Sequence, residues 1–226
     1  FRGSLKIILE NNGLTAVNIL HVEDYLKSVI SSEMSAKSPV EFLKAHAVIS
    51  RSWLLAQIEK RSELQSGQQD YSTTIETENE YIRWFDREDH DLYDVCADDH
   101  CQRYQGITKA TAPEVEQAVE ATRAQVLTYN NAICDARFSK TCGGVSETFE
   151  NVWENKPKPY LQKVVDNARL PEGYELDLTR EEDALEWIMN EADAFCNTKD
   201  KELLSKILPD FDQDTHDFYR WRREYT

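Results

Sequence analysis

The chain of 226 residues sets 26 Lys and Arg against 42 Asp and Glu, a formal charge of −16. That balance excludes a protein built to neutralise nucleic-acid phosphates or to dock on an anionic membrane surface, since both need a basic footprint. Hydrophobic residues make up 40%, enough for a packed core, and no apolar run approaches the ~20 residues of a membrane span.

Ser4–Leu9 and Leu14–Leu20 read as strands about Asn11-Asn12-Gly13, a hairpin. Val22, Tyr25, Leu26, Val29 and Ile30 then recur at helical spacing. Ser38-Pro39-Val40-Glu41 predicts a helix start, with Ser as N-cap, Pro at the first position and Glu at the third. The run to about Lys60 is apolar almost all round (Phe42, Leu43, Ala45, Ala47, Val48, Ile49, Trp53, Leu54, Leu55, Ile58), so this helix is expected at the buried centre. Residues 62–80 are polar and read as a loop. Thr111-Ala112-Pro113-Glu114 repeats the capping pattern and predicts a helix to about Arg123. Val126–Tyr129 and Ala132–Phe138 about Asn130-Asn131 predict a second hairpin. Gly143-Gly144 permits positive φ or close backbone approach to a ligand.

From about residue 170 the composition shifts to 16 acidic and 7 basic residues, and Thr179-Arg180-Glu181-Glu182 opens a helix with Ala184, Leu185, Trp187 and Ile188. Residues 217–226 alternate with aromatics like a strand and have no closing turn. The chain starts at Phe1 without a signal peptide, and its end reads as a cut in a longer protein. The expected fold class is α+β: a buried central helix with flanking helices and antiparallel hairpins, and an acidic helical insert near the C-terminus. The expected organisation is a main domain over 1–165, the insert over 166–216, and 217–226 as the start of a further strand of the main domain.

Several residues could carry chemistry. Val22, Leu26, Val29 and Glu33 fall on one helical stripe, which is apolar until Glu33 closes it. A carboxyl group leaving an apolar face is partly desolvated, which raises its pKa and suits a general acid; the alternative is an exposed helix end. His90, Cys96, His100 and Cys101 offer two imidazoles and two thiolates within twelve residues, the inventory of a closed, structural zinc site. A Cys96–Cys101 disulfide beside surface histidines is the competing reading. The acids around them read as a solvated face rather than a calcium loop. Cys142 before two glycines would suit a thiol hydrolase, though a structural cysteine is the simpler reading. Five cysteines are an odd number, so a complete disulfide framework within one chain is excluded. Arg51 interrupts the buried helix and needs a carboxylate or carbonyl partner. Gln102 and Tyr104, two apart, would offer hydrogen bonds and an aromatic face to a sugar if extended, or serve as edge-strand residues.

Taken together, Val22-Glu23-Asp24-Tyr25-Leu26, Val29 and Glu33-Met34, followed by Pro39, Leu43-Lys44-Ala45, Ala47 and Arg51-Ser52-Trp53, resemble the stage II sporulation protein D / LytB family. Gln102-x-Tyr104-x-Gly106, Ala118-Val119-x-Ala121-Thr122 with Val126-Leu127-x-Tyr129, and Phe138-Ser139 with Gly143-Gly144-x-Ser146-Glu147 follow in the family's order. Tyr160-Leu161 and Trp221 fit its continuation, while 166–216 has no counterpart. The resemblance implies an exported protein of the cell envelope or periplasm that acts on peptidoglycan glycan strands. It implies a lytic transglycosylase, which cleaves between N-acetylmuramic acid and N-acetylglucosamine and leaves a 1,6-anhydro product. Glu33 matches the catalytic glutamate. Arg51, Gln102, Tyr104, Ser139, Gly143 and Gly144 match positions around the groove. The resemblance also favours structural zinc at His90, Cys96, His100 and Cys101, with no organic cofactor. Its alternative reading is a noncatalytic glycan-binding protein that enhances a cell-wall amidase.

Overall fold

The computed structural model describes residues 2–10, 13–65, 74–84, 90–109, 112–208 and 219–220. The chain divides into two compact units, residues 1–71 with 86–137 and residues 72–85 with 138–226. Helices and short antiparallel hairpins make an α+β protein, with three two-stranded sheets among the described residues.

The first unit opens with the hairpin β1 (Ser4–Glu10) and β2 (Gly13–Ile19), in register from Ser4↔Ile19 to Glu10↔Gly13. Leu5, Ile7, Leu9 and Leu14 share one face through this register, and that face is exposed. Three helices build the core: α1 (Val22–Glu33), α2 (Val40–Gln65) and α3 (Pro113–Ala121). Tyr25, Leu26, Val29 and Ile30 of α1 meet Leu43, Ala47, Trp53 and Leu54 of α2 and Val115, Ala118 and Val119 of α3. Complete burial of such side chains is worth about 1.5–3 kcal/mol each, so the α1 stripe alone fixes that helix firmly. The middle of α2 is buried as its composition predicts, but its polar residues are buried too. Ser52 donates to the Val48 carbonyl at 2.6 Å and accepts from the Leu127 amide at 2.9 Å. Gln57 donates to Asp135 at 2.9 Å.

Helix starts come one residue later than the hydroxyl caps suggest. The first turn of α2 closes on the Pro39 carbonyl, not on Ser38. The N-cap of α3 is Ala112 without a side-chain cap, and Thr111 lies outside the described residues. The cap of α1 is His21, whose Nδ1 accepts from the Glu23 amide at 3.2 Å. The expected second hairpin is short, β5 (Thr128–Tyr129) with β6 (Ala132–Ile133). Asn130 and Asn131 take φ of 49° and 64°, which is the pair of left-handed residues a type I′ turn requires.

The second unit holds the hairpin β3 (Thr74–Glu76) and β4 (Tyr81–Arg83), then α4 (Phe149–Val152), α5 (Glu181–Met189) and α6 (Lys201–Ile207). The Trp84 indole donates to the Glu150 carbonyl at 2.7 Å and fastens the hairpin to α4. The acidic segment is helical as expected. The N-cap of α5 is Arg180, and Thr179 instead donates to Asp177 at 2.7 Å. Of the strand expected at 217–226, only Tyr219 and Arg220 lie among the described residues.

Candidate functional site

Glu33 is the last residue of α1 and is partly exposed. Its Oε1 accepts the Arg103 amide at 2.6 Å. The segment carrying that amide lies against α1 through several bonds. Ser28 Oγ donates to the Gly106 carbonyl at 2.9 Å, and the Tyr104 ring stacks on Tyr25 at 5.5 Å with 7° between planes. Gln102 is 1% exposed, accepting from the Tyr25 hydroxyl and donating to the Ser50 carbonyl, both at 3.4 Å. The Tyr104 hydroxyl accepts from Asn18 Nδ2 at 2.9 Å. The backbone at 103 therefore faces Glu33, whereas the ring one residue on faces a cavity of about 950 Å³ between β2, α2 and the loop at 92–98. Tyr25, Tyr93 and Tyr104 line that cavity; Glu33 does not.

Arg51 is 1% exposed. Its guanidinium meets Glu23 through Nε to Oε1 at 3.1 Å and Nη2 to Oε2 at 2.6 Å, and Nη1 donates to the Gln125 carbonyl at 3.0 Å. The carboxylate partner that burial demanded is thus Glu23, on the neighbouring helix. Burial pushes the Glu23 carboxyl up, but the Arg51 hydrogen bond, the Ala124 amide and the charges of Arg51 and Arg123 outweigh it and hold its pKa below the usual value. In this geometry both Arg51 and Gln102 join helices and loop beneath the surface.

The other four candidates converge in a loop just before Arg103. Cys101 Sγ lies 3.4 Å from His90 Nε2 and 3.5 Å from His100 Nδ1, and Cys96 Sγ lies 3.8 Å from His100 Nδ1. All four donor atoms fall within 4.8 Å of one another. A tetrahedral zinc with Zn–S near 2.3 Å and Zn–N near 2.0–2.1 Å separates S from N by about 3.5 Å, so the donor set fits that ion. Four protein donors would close the shell and exclude a bound water.

Ser139, Gly143 and Gly144 belong to the second unit. Ser139 is exposed. Gly143 and Gly144 take φ of 63° and 101°, and a Cβ on Gly144 would come within 2.8 Å of the Tyr219 hydroxyl. The Cys142 sulfur faces that of Cys196 at 3.7 Å, and burial pushes its thiol up, against the activated thiolate a hydrolase needs.

Sequence reasoning missed His21 as a cap, Glu23 as the partner of Arg51, and the Arg103 amide. Backbone amides leave no residue signature, whereas Glu23 was legible as an acid 28 residues from a buried Arg only once the helices were packed.

The first unit is thus a three-helix core carrying a carboxylate at a helix end beside a loop with a zinc-type donor set. The stage II sporulation protein family model matches residues 10–129, and a domain of unknown function, DUF8618, matches residues 147–226. The chain belongs to the stage II sporulation protein family. An uncharacterized protein of Brachyspira hyodysenteriae is 31% identical over 163 residues, 71% of this chain and 36% of that protein. Stage II sporulation protein D of Bacillus subtilis is 26% identical over 150 residues, 66% of this chain and 39% of that protein. The chain spans less than two fifths of the length of these curated relatives.

Proposed function

We propose that this protein works in the cell envelope as a lytic transglycosylase on peptidoglycan glycan strands, with Glu33 as its acid and then its base. Family membership ties the chain to cell-wall processing. The observation that carries the finer reading is the Glu33 carboxyl group, partly exposed at the end of α1 and aimed by the Arg103 amide. One carboxyl group suffices for this reaction. As the acid it protonates the leaving glycosidic oxygen while the C1–O bond breaks. As the carboxylate it then removes the proton of the sugar's own 6-hydroxyl, whose oxygen closes on C1. Ordinary glycosidases need two carboxyl groups because water or the enzyme supplies the nucleophile.

The same reading gives His90, Cys96, His100 and Cys101 the work of holding a structural zinc ion, which clips the loop. The chain's own contribution is positional: Cys101 stands two residues before the amide that orients Glu33. The aromatic lining of the neighbouring cavity, Tyr25, Tyr93 and Tyr104, suits the apolar face of a sugar ring.

The test is mass spectrometry of products from peptidoglycan, both intact and stripped of stem peptides, with wild type and Glu33→Gln. Anhydro-muramyl products from wild type alone support the reading. Reducing-end products would make the protein a hydrolase. Retained glycan binding by both forms with no products would turn the reading to a noncatalytic partner of an amidase.

A further inference from the structure

The odd number of cysteines resolves by location. Cys96 and Cys101 belong to the His/Cys cluster, and Cys134 is buried in the first unit. Cys142 and Cys196 remain, both in the second unit and both partly exposed. Their sulfurs stand 3.7 Å apart although 54 residues separate them along the chain. We propose that Cys142 and Cys196 form a disulfide, a redox-controlled staple that fixes the acidic C-terminal segment to the Gly143-Gly144 turn.

Contacts that do not involve sulfur create the proximity. The Asp166 amide donates to the Gly144 carbonyl at 2.9 Å. Asp166 in turn accepts the Phe195 amide on its carbonyl at 2.8 Å and the Cys196 amide on its Oδ2 at 2.7 Å. Asp166 thereby joins the turn after Cys142 to the turn that carries Cys196. Arg220 adds a second tie: Nε and Nη2 donate to the Gly143 carbonyl at 2.9 and 2.7 Å, and Nη1 donates to the carbonyls of Trp187 and Asn190. Its guanidinium also stacks on the Trp187 ring at 4.2 Å. With both backbones held, the sulfurs must close from 3.7 Å to the ~2.05 Å of an S–S bond by side-chain rotation.

The competing use of these groups is a metal, since Cys142, Asp166 and Cys196 bring three donors within 4.8 Å. Among the described residues these are three donors where structural zinc takes four, and one carboxylate oxygen of Asp166 already accepts the Cys196 amide. The disulfide needs nothing further from the protein. Its formation requires a two-electron oxidant, here a disulfide such as oxidised glutathione or an oxidoreductase. Two protein S–H bonds and the oxidant's S–S bond break; the Cys142–Cys196 bond and two S–H bonds on the oxidant form, carrying the protons and two electrons. The inference does not depend on the catalytic reading of Glu33.

The full chain is equilibrated with oxidised glutathione, denatured without reductant, alkylated with iodoacetamide and digested. The expected result is three alkylated cysteines (Cys96, Cys101, Cys134) in place of five, with a peptide joining Cys142 to Cys196 and a mass lower by about 2 Da before alkylation. The oxidised protein should melt several degrees above the reduced one, and a dithiol should reverse the gain. Cys142→Ser and Cys196→Ser should each abolish that difference between oxidised and reduced forms. Five alkylated cysteines, a link to any other cysteine, or a link without a change in melting temperature overturns the proposal. So does elemental analysis showing a zinc equivalent that Cys142→Ser removes.

Discussion

At the scale of single residues, the Arg51–Glu23 pair shows how a polar side chain in an apolar helix divides between structure and recognition. The sequence required a partner for Arg51 and left two kinds of work open, holding helices together or meeting a ligand. Its exposure of 1% and the bidentate bond to Glu23 favour the first. Removing one member of a buried pair leaves the other charge uncompensated, at a cost of about 3–5 kcal/mol. Arg51→Met should therefore lower the urea midpoint of unfolding strongly, while under the proposed function the protein that remains folded should bind glycan no more weakly than wild type. A loss of glycan affinity at unchanged stability would return Arg51 to the groove. Glu33 offers the opposite profile. It ends its helix partly exposed, and Gln keeps an oxygen that can accept the Arg103 amide, so Glu33→Gln should change activity with stability altered by less than about 1 kcal/mol.

At the scale of elements, α1 was legible because its buried stripe recurs at helical period, and α2 because its run is apolar almost all round, although His46, Ser50, Arg51, Ser52 and Gln57 are buried with it. Their starts were less legible. Ser, Thr and Pro clusters announce a helix but do not say which carbonyl closes the first turn, and three starts moved by one residue. The segment 102–106 was the least legible, because what holds it is tertiary: the Ser28 bond to Gly106, the Tyr25 ring, and the Ser50 carbonyl. The His/Cys loop could be read from side-chain chemistry alone, but not that it leads directly into the amide on Glu33. That continuity carries a prediction. Stripping metal with a chelator should lower the melting temperature, since ligands brought together only in the folded state link binding to folding. Hydrogen exchange should rise first in the 90–109 segment, and activity on glycan should fall as the Arg103 amide loses its position. Unchanged melting, with no metal by elemental analysis of the loaded protein, would sink the zinc reading.

At the scale of the whole molecule, the charge of −16 and two buried groups set the response to acid. His46 on α2 is 5% exposed, and burial pulls its pKa down to about 4. The unfolded chain binds that proton near pH 6.5, so between about pH 6.5 and 4 the unfolded state holds more protons than the folded one. Stability must then fall as pH falls through that window, by up to about 1.4 kcal/mol per pH unit for one proton. Glu23 has the same sign at lower pH. Its depressed folded pKa gives stability that is present above its unfolded value near 4.5 and lost as pH drops through the folded value. Surface carboxylates work the other way, because protonating them relieves the repulsion within a strongly acidic chain. The contributions of all other groups cancel when wild type is compared with His46→Leu at equal metal loading. The difference in unfolding free energy between the two, followed by urea titration from pH 7.5 to 4.5, should be flat above about pH 7 and move steadily in favour of His46→Leu below pH 6.5. Parallel pH profiles for the two proteins would mean that His46 is charged in the folded core, and that burial is offset by a partner strong enough to hold the imidazolium there.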